Sequence, residues 1–309
     1  VAISAHAAEV SLSGGASVAI TSASEADKTS YYMNDSVTLT VSGETDNGLT
    51  VTTSLELDGD TGGGSYDNRS VAIGSDSMGT VTYSAHGGDS VMSGWDDVMP
   101  TAYEEVFALT KKAADATTDG NTVIAGFGGN ALWRYDSPSI SGVSFHAAYQ
   151  SAESASSGTT PAKVSAYSDV GIQIAPEMVE GLTVGFGQGE TEATTGTVID
   201  DQTMYATYAY GSLTVGYQVG ESDGPAASND IDFTGMGLSY AVTDDISVSY
   251  NTSTIDRADS ANDQEATAIA ASFTSGGITV KGTMHSSDNI GHAAASDLDA
   301  YEFNIGFAF

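Results

Sequence analysis

DAYEFNIGFAF, running from Asp299 to Phe309, is the stretch whose reading decides the fold. Tyr301, Phe303, Ile305, Phe307 and Phe309 fall on every second position, and Glu302, Asn304, Gly306 and Ala308 fill the positions between. Successive side chains of a strand point to opposite faces, so one face here is apolar and the other polar or small. Such a ladder is out of place on the surface of a soluble protein. It suits a strand that closes a barrel onto the first strand, near Val10–Ile20.

The same alternation recurs along the chain at a spacing of roughly 19 residues. Val10, Leu12, Ala16, Val18 and Ile20 share one face of a first strand near Glu9–Thr21. After the polar stretch Ser22–Asn34, Val37, Leu39 and Val41 open a second strand. Thr45-Asp46-Asn47-Gly48 makes a tight turn, since Asn-Gly readily supplies φ > 0, and Leu49, Val51, Leu55 and Leu57 follow at once. The longer segment Asp58–Asp67 then leads to Val71 and Ile73, and Asp76–Gly79 turns the chain into Val81, Tyr83 and Ala85. Later pairs keep this rhythm through Ser137–Gly142, Pro176–Gly181, Gly211-Ser212, Thr243–Asp245 and Ser275–Gly277. Short turns at one end, long polar loops at the other and about sixteen strands predict an all-β, transmembrane antiparallel β-barrel.

Composition agrees. The 309 residues include 41 acidic and 8 basic side chains, no cysteine and only 5 prolines. A net charge of −33 excludes nucleic acid as a partner, because phosphate binding needs Lys and Arg. The lack of cysteine removes disulfides and thiolate chemistry, and few prolines leave long strands uninterrupted. No run of about 18 apolar residues exists to make a membrane helix, but a barrel strand needs only ~10 alternating residues. At the start, Ala5-His6-Ala7 fits the small-x-small cleavage rule of a secretory leader. Residues 1–8 are thus expected to be residual signal peptide, and 9–309 a single barrel domain.

The rhythm breaks once, in a long segment at His86–Asn130. Loops of that length are usually functional. Within it Thr101–Ala116 is expected to form a short helix, with Thr101 as cap and Glu104 as its box partner. With the apolar parity facing lipid, the opposite parity is too polar and small for a packed core: Ser11, Ser13, Thr38, Thr40, Ser42, Thr80, Thr82, Thr203, Thr214, Gln218, Ser247 and Ser249. A water-filled lumen suits these residues, and sixteen strands are wide enough to hold one.

The whole of Glu9–Phe309 resembles the general porins of alphaproteobacteria, the Rhodobacter type. The resemblance rests on EVSLSG at Glu9–Gly14, VTLTVSGETDNGLTVTTSLEL at Val37–Leu57, the long insertion at His86–Asn130 and NIGFAF at Asn304–Phe309. It implies a sixteen-stranded outer-membrane barrel of a Gram-negative bacterium, usually a homotrimer, whose insertion folds inward and narrows the pore. It also implies that Phe309 is the assembly signal. Small outer-parity residues, Gly14 with Ala16 and those within Ala266–Ala271, offer flat surfaces for packing between protomers.

The resemblance further implies inward-loop acids set against basic residues on the facing wall. The acidic half is well supplied by Asp89, Asp96, Asp97, Glu104, Glu105 and Asp115, candidates for the pore constriction. Glu56, Asp58, Asp136, Asp169 and Glu302 add to them from the lumen wall, where only Arg134 and Lys281 are basic. Arg69 shares parity with the apolar Val71 and Ile73, and Lys111 and Lys112 lie in the insertion. An acidic ring concentrates cations over about 8 Å at physiological salt, so a cation-preferring channel for small hydrophilic solutes and ions is expected.

No catalytic constellation stands out. His86, His146 and His285 fall on lumen parity, without metal-ligand spacing, and Gly185, Gly187 and Gly189 lie inside a strand without an opening helix. Crowded Asp in Asp58–Asp67, Asp223–Asp232 and Asp256–Asp263 makes a structural Ca²⁺ site conceivable. The competing reading is a secreted, acidic, calcium-binding β protein of a surface layer or adhesin, with its apolar faces buried in a sandwich or solenoid.

Overall fold

The computed structural model describes residues 8–24, 28–59, 66–109, 126–154, 162–226, 228 and 230–309. Among these, sixteen antiparallel strands close into one barrel. The first eight are β1 (Glu9–Ala23), β2 (Lys28–Glu44), β3 (Thr50–Asp58), β4 (Tyr66–Ser75), β5 (Gly79–His86), β6 (Leu132–Asp136), β7 (Val143–Gln150) and β8 (Ala166–Ile174). The rest are β9 (Leu182–Glu192), β10 (Val198–Tyr210), β11 (Leu213–Asp223), β12 (Ile231–Ala241), β13 (Ile246–Arg257), β14 (Gln264–Ser275), β15 (Ile278–Asp288) and β16 (Leu298–Ala308). Each strand pairs with its neighbours in sequence, and β16 closes onto β1 from Gly15 opposite Ala308 to Ala23 opposite Ala300. Two further backbone bonds of 3.0 Å join Gly14 and Phe309, each donating to the other's carbonyl. The closing strand therefore has the partner that its alternation predicts, and no edge is left at the seam.

The outward face is apolar and uncovered. Leu12 is 64 % exposed, Met204 51 % and Phe307 50 %, which a water-soluble sandwich or solenoid would bury. The competing reading fails on this point. Outward pairs pack across the strands, as where Tyr83 sits opposite Trp133 with ring centroids 4.8 Å apart. Tight turns gather at one end, where left-handed glycines such as Gly48 (φ +78°) and Gly181 (φ +84°) reverse the chain. A Cβ at Gly181 would also meet the Ala209 carbonyl. Toward the long-loop end the outward face turns acidic. Asp200 lies directly opposite Asp223, and Asp232 lies between Glu221 and Asp256.

Three expectations need correction. Within the polar stretch after the first strand, 28–34 is already strand, since β2 begins at Lys28 and its alternation places Tyr31 and Met33 outward and Tyr32 inward. No helix starts at Thr101. Glu104 is left-handed (φ 49°), and the Thr101 hydroxyl is used locally, accepting the Tyr103 N–H at 3.2 Å. Helical backbone begins only at 108–109, and 110–125 lie outside the described residues. Finally, Ala266, Ala268 and Ala270 point inward and are buried, so on β14 they supply no flat outer surface.

Candidate functional site: the loop-narrowed lumen

After β5 the chain turns into the barrel. Gly88–Asp89 pairs with Gly128–Gly129, tying together the two ends of the insertion. From there the segment crosses the lumen along the inner wall, and wall side chains bind its backbone one after another. Asp169 on β8 accepts the Met92 N–H at 2.8 Å. Gln218 on β11 accepts the Val98 N–H at 3.1 Å and donates to the Trp95 carbonyl at 2.6 Å. On β13, Asn251 donates to the Pro100 carbonyl at 3.1 Å, and Ser249 accepts the Ala102 N–H at 2.9 Å. At β16, Glu302 accepts the Tyr103 hydroxyl. A loop without regular ladders thus has its buried polar groups paired by the barrel.

Packing follows the same path. Val91 and Trp95 pack with Leu132, Ala148 and Tyr205; Met92 packs with Phe233 and Ile255. Val106 and Phe107 rest on Ala266 and Ala268, while Leu109 meets Ile290, Leu298 and Ala300. The wall is hollowed to receive these side chains. A Cβ at Gly171 would lie 2.5 Å from the Trp95 ring, and one at Gly187 would lie 2.8 Å from the Met92 sulfur. The alternating glycines of β9 are therefore clearance for the loop and for Tyr205 and Tyr167, not a phosphate cradle. The lumen, expected to be polar throughout, carries apolar patches wherever the loop covers it.

Charges are mostly engaged. The Arg134 guanidinium donates to Asp136 at 3.0 Å and to the Asp89 and Ser90 carbonyls at 3.2 and 3.0 Å. His146 meets the same Asp136 carboxylate through Nδ1 at 2.7 Å, and Ser144 through Nε2 at 3.0 Å. On the loop, burial pushes the Asp97 carboxyl up to about 6; adjacent Asp96 adds to this and the Met99 N–H opposes it. Burial, then the bond to Glu302, raises the Tyr103 hydroxyl above the ordinary tyrosine range, so it stays a donor. Beside the loop tip remains a cavity of about 540 Å³, with Glu56, Asp58, Glu104, Tyr32, Tyr103, Asn34 and Lys281 among its lining residues.

A closed sixteen-strand barrel with an internal loop and an uncovered apolar exterior is the frame of a membrane channel. The profile of the Gram-negative porin family matches residues 1–269. The chain belongs to this family. The porin shares its fold with an anion-selective porin from Comamonas acidovorans, at TM-score 0.71 and 17% identity over 98% of this chain and 100% of that one. A trimer form of OmpT from Vibrio cholerae gives TM-score 0.72 at 11% identity, covering 98% and 100% of the two chains. A mutant of the Rh. blastica porin gives 0.70 at 17%, covering 97% and 100%. No curated protein sequence matches. The porin is an outer-membrane channel.

The residues singled out in the sequence do not all come together. Glu56, Asp58, Glu104 and Lys281 come together around the open cavity. Asp89 is exposed near the loop root, whereas Asp96, Asp97 and Glu105 are half-buried. Asp169 and Glu302 do face inward, but at 3 % and 2 % exposure they fasten the loop instead of meeting solutes. Asp136 is shared by Arg134 and His146. Asp115 lies outside the described residues, as do Lys111, Lys112 and part of Asp58–Asp67. Among the described residues no group of three or more His, Asp or Glu is placed to hold a metal ion. Tyr32 and Asn251 were missed. The alternation of YYMN with Tyr32 on lumen parity was the available signal for the first.

Proposed function

We propose that this porin is a general diffusion channel of the alphaproteobacterial type, cation-preferring and assembled as a homotrimer, for small hydrophilic solutes. The observation that carries the cation preference is the cavity at the loop tip, whose lining includes four carboxylates, Asp35, Glu56, Asp58 and Glu104, and one base, Lys281. A low-dielectric wall around such a set raises local cation concentration and repels anions within a Debye length, about 8 Å at physiological salt. The Comamonas relative is described as anion-selective, but at 17% identity it shares the fold; selectivity depends on individual lumen charges. The alphaproteobacterial assignment draws on the EVSLSG and NIGFAF segments and their spacing. The trimer draws on the Vibrio relative solved in that form and on the small outward pair Gly14 and Ala16 of β1.

The deciding measurement is the reversal potential of the purified porin in a planar bilayer under a KCl gradient. A potential of cation sign is expected, and one of anion sign overturns the preference. Conductance steps arriving in threes are the expected mark of the trimer.

A further inference from the structure

Glu302 holds three separate parts of the porin at one point. It lies on β16 and is 2 % exposed. Its Oε2 accepts the Tyr32 hydroxyl of β2 at 2.6 Å, and its Oε1 accepts the Tyr103 hydroxyl of the inward loop. β1 runs between β16 and β2, so the Glu302 side chain reaches over the seam where the barrel closes. Ala19 and Thr21 on β1 are small enough to let it pass. The Tyr103 ring makes a second contact, with the Lys281 ammonium of β15 lying 5.0 Å from its centroid. That distance is within cation–π range. The next residue, Glu104, is held in a left-handed conformation (φ 49°) that residues other than glycine seldom adopt. It lines the open cavity together with Lys281.

We propose that Tyr103 is the positioning residue of the aperture: its hydroxyl, clamped by Glu302, fixes the loop tip against the barrel seam, and its ring seats Lys281 as the aperture's positive charge. The width and the charge of the opening then depend on one side chain. Glu302 acts through Tyr103 and presents no free charge to passing ions. This deepens the channel reading above and rests on it.

The test uses the full-length porin in planar bilayers, with heat-modifiable gel migration confirming closed barrels. Tyr103→Phe keeps the ring and removes the clamp; Glu302→Gln keeps the volume but leaves one phenol without its acceptor. A hydrogen bond to a charged group lost at this site raises occupancy of the released tip about tenfold. Both variants are therefore expected to show larger conductance substates occupied about tenfold longer, and the double variant no more than either single one. Lys281→Met is expected to raise the K⁺/Cl⁻ permeability ratio without adding substates. A purely structural role would lower the unfolding temperature and leave conductance and ratio unchanged. Wild-type conductance traces from folded Tyr103→Phe overturn the proposal, and that variant alters only the loop, so it answers even where Glu302→Gln fails to fold. An anion-preferring wild type would sink the cation preference alone, because the substate comparison does not depend on the sign of selectivity.

Discussion

Asp169 accepts the backbone N–H of Met92 at 2.8 Å, and through that bond the wall of the barrel holds the root of the loop that narrows it. The same carboxylate oxygen accepts the Tyr167 hydroxyl at 2.9 Å. A charge placed in the lumen by strand parity is thereby committed to structure.

Two substitutions separate that role from a role in selectivity. Asp169→Ala leaves two buried donors without their acceptor, at a cost of about 1–3 kcal/mol for each group, so the loop root opens more often. Limited proteolysis of the folded barrel in detergent is expected to cut the variant inside the loop well before wild type. Asp169→Asn retains an accepting oxygen. It is expected to resist cleavage nearly as wild type does and to keep the wild-type reversal potential, whereas a pore-facing carboxylate would shift it.

Acid is expected to weaken the proposed cation preference through Asp97. With its carboxyl raised to about 6 by burial and by Asp96, this group is charged at pH 7.5 and largely neutral at pH 5, where ordinary carboxylates near 4 remain ionised. The K⁺/Cl⁻ ratio is expected to fall across that window, and Asp97→Asn to lack the step. The stability sign runs the same way. A folded-state pKa above the unfolded one means the folded porin binds the extra proton, so this contribution is present below about 4 and is lost as pH rises through about 6. Thermal melts of wild type and Asp97→Asn at pH 5 and 7.5 would reveal the difference.

The glycine track under the loop sets how closely it packs. Gly187→Leu places side-chain atoms where the Met92 sulfur and the Trp95 ring now sit, since even a Cβ there comes within 2.8 Å of the former. Overpacking of this kind costs about 1–3 kcal/mol, and the loop can relieve it by shifting toward the open lumen. The expected result is reduced single-channel conductance with heat-modifiable migration preserved. Increased conductance would mean that the loop had left the wall instead.

Alternation made the barrel legible, because the lipid-facing parity of DAYEFNIGFAF repeats on strand after strand and turn residues mark one end. Parity, however, reports only the face a residue occupies, not what lies over that face. Asp169, Gln218 and Glu302 therefore read as lining for water, when the inward loop lays its backbone against the first two and the Tyr103 hydroxyl against the third. The helix expected from Thr101 failed for a related reason: the Tyr103–Glu302 contact joins residues far apart in sequence, and Glu104 takes a conformation that local propensity disfavours. Tyr32 was hidden by the Ser and Thr around it, although its strand was continuous with the one already recognised.

Salt should stabilise this porin more than its apolar exterior alone suggests. On the outward face, Asp200 stands opposite Asp223, and Glu221, Asp232 and Asp256 form a continuous cross-strand row. Like charges directly opposed on a sheet are destabilising. These acids are exposed to solvent or half-buried, so their repulsion is screened as the Debye length falls from ~30 Å at 0.01 M to ~10 Å at 0.1 M salt. The unfolding temperature in a non-ionic detergent is accordingly expected to rise over that range of NaCl. Asp232→Asn, which removes the charge flanked on both sides, should raise the temperature at low salt and shrink the salt response. An unchanged salt response in that variant would show that the row is already neutralised by other means.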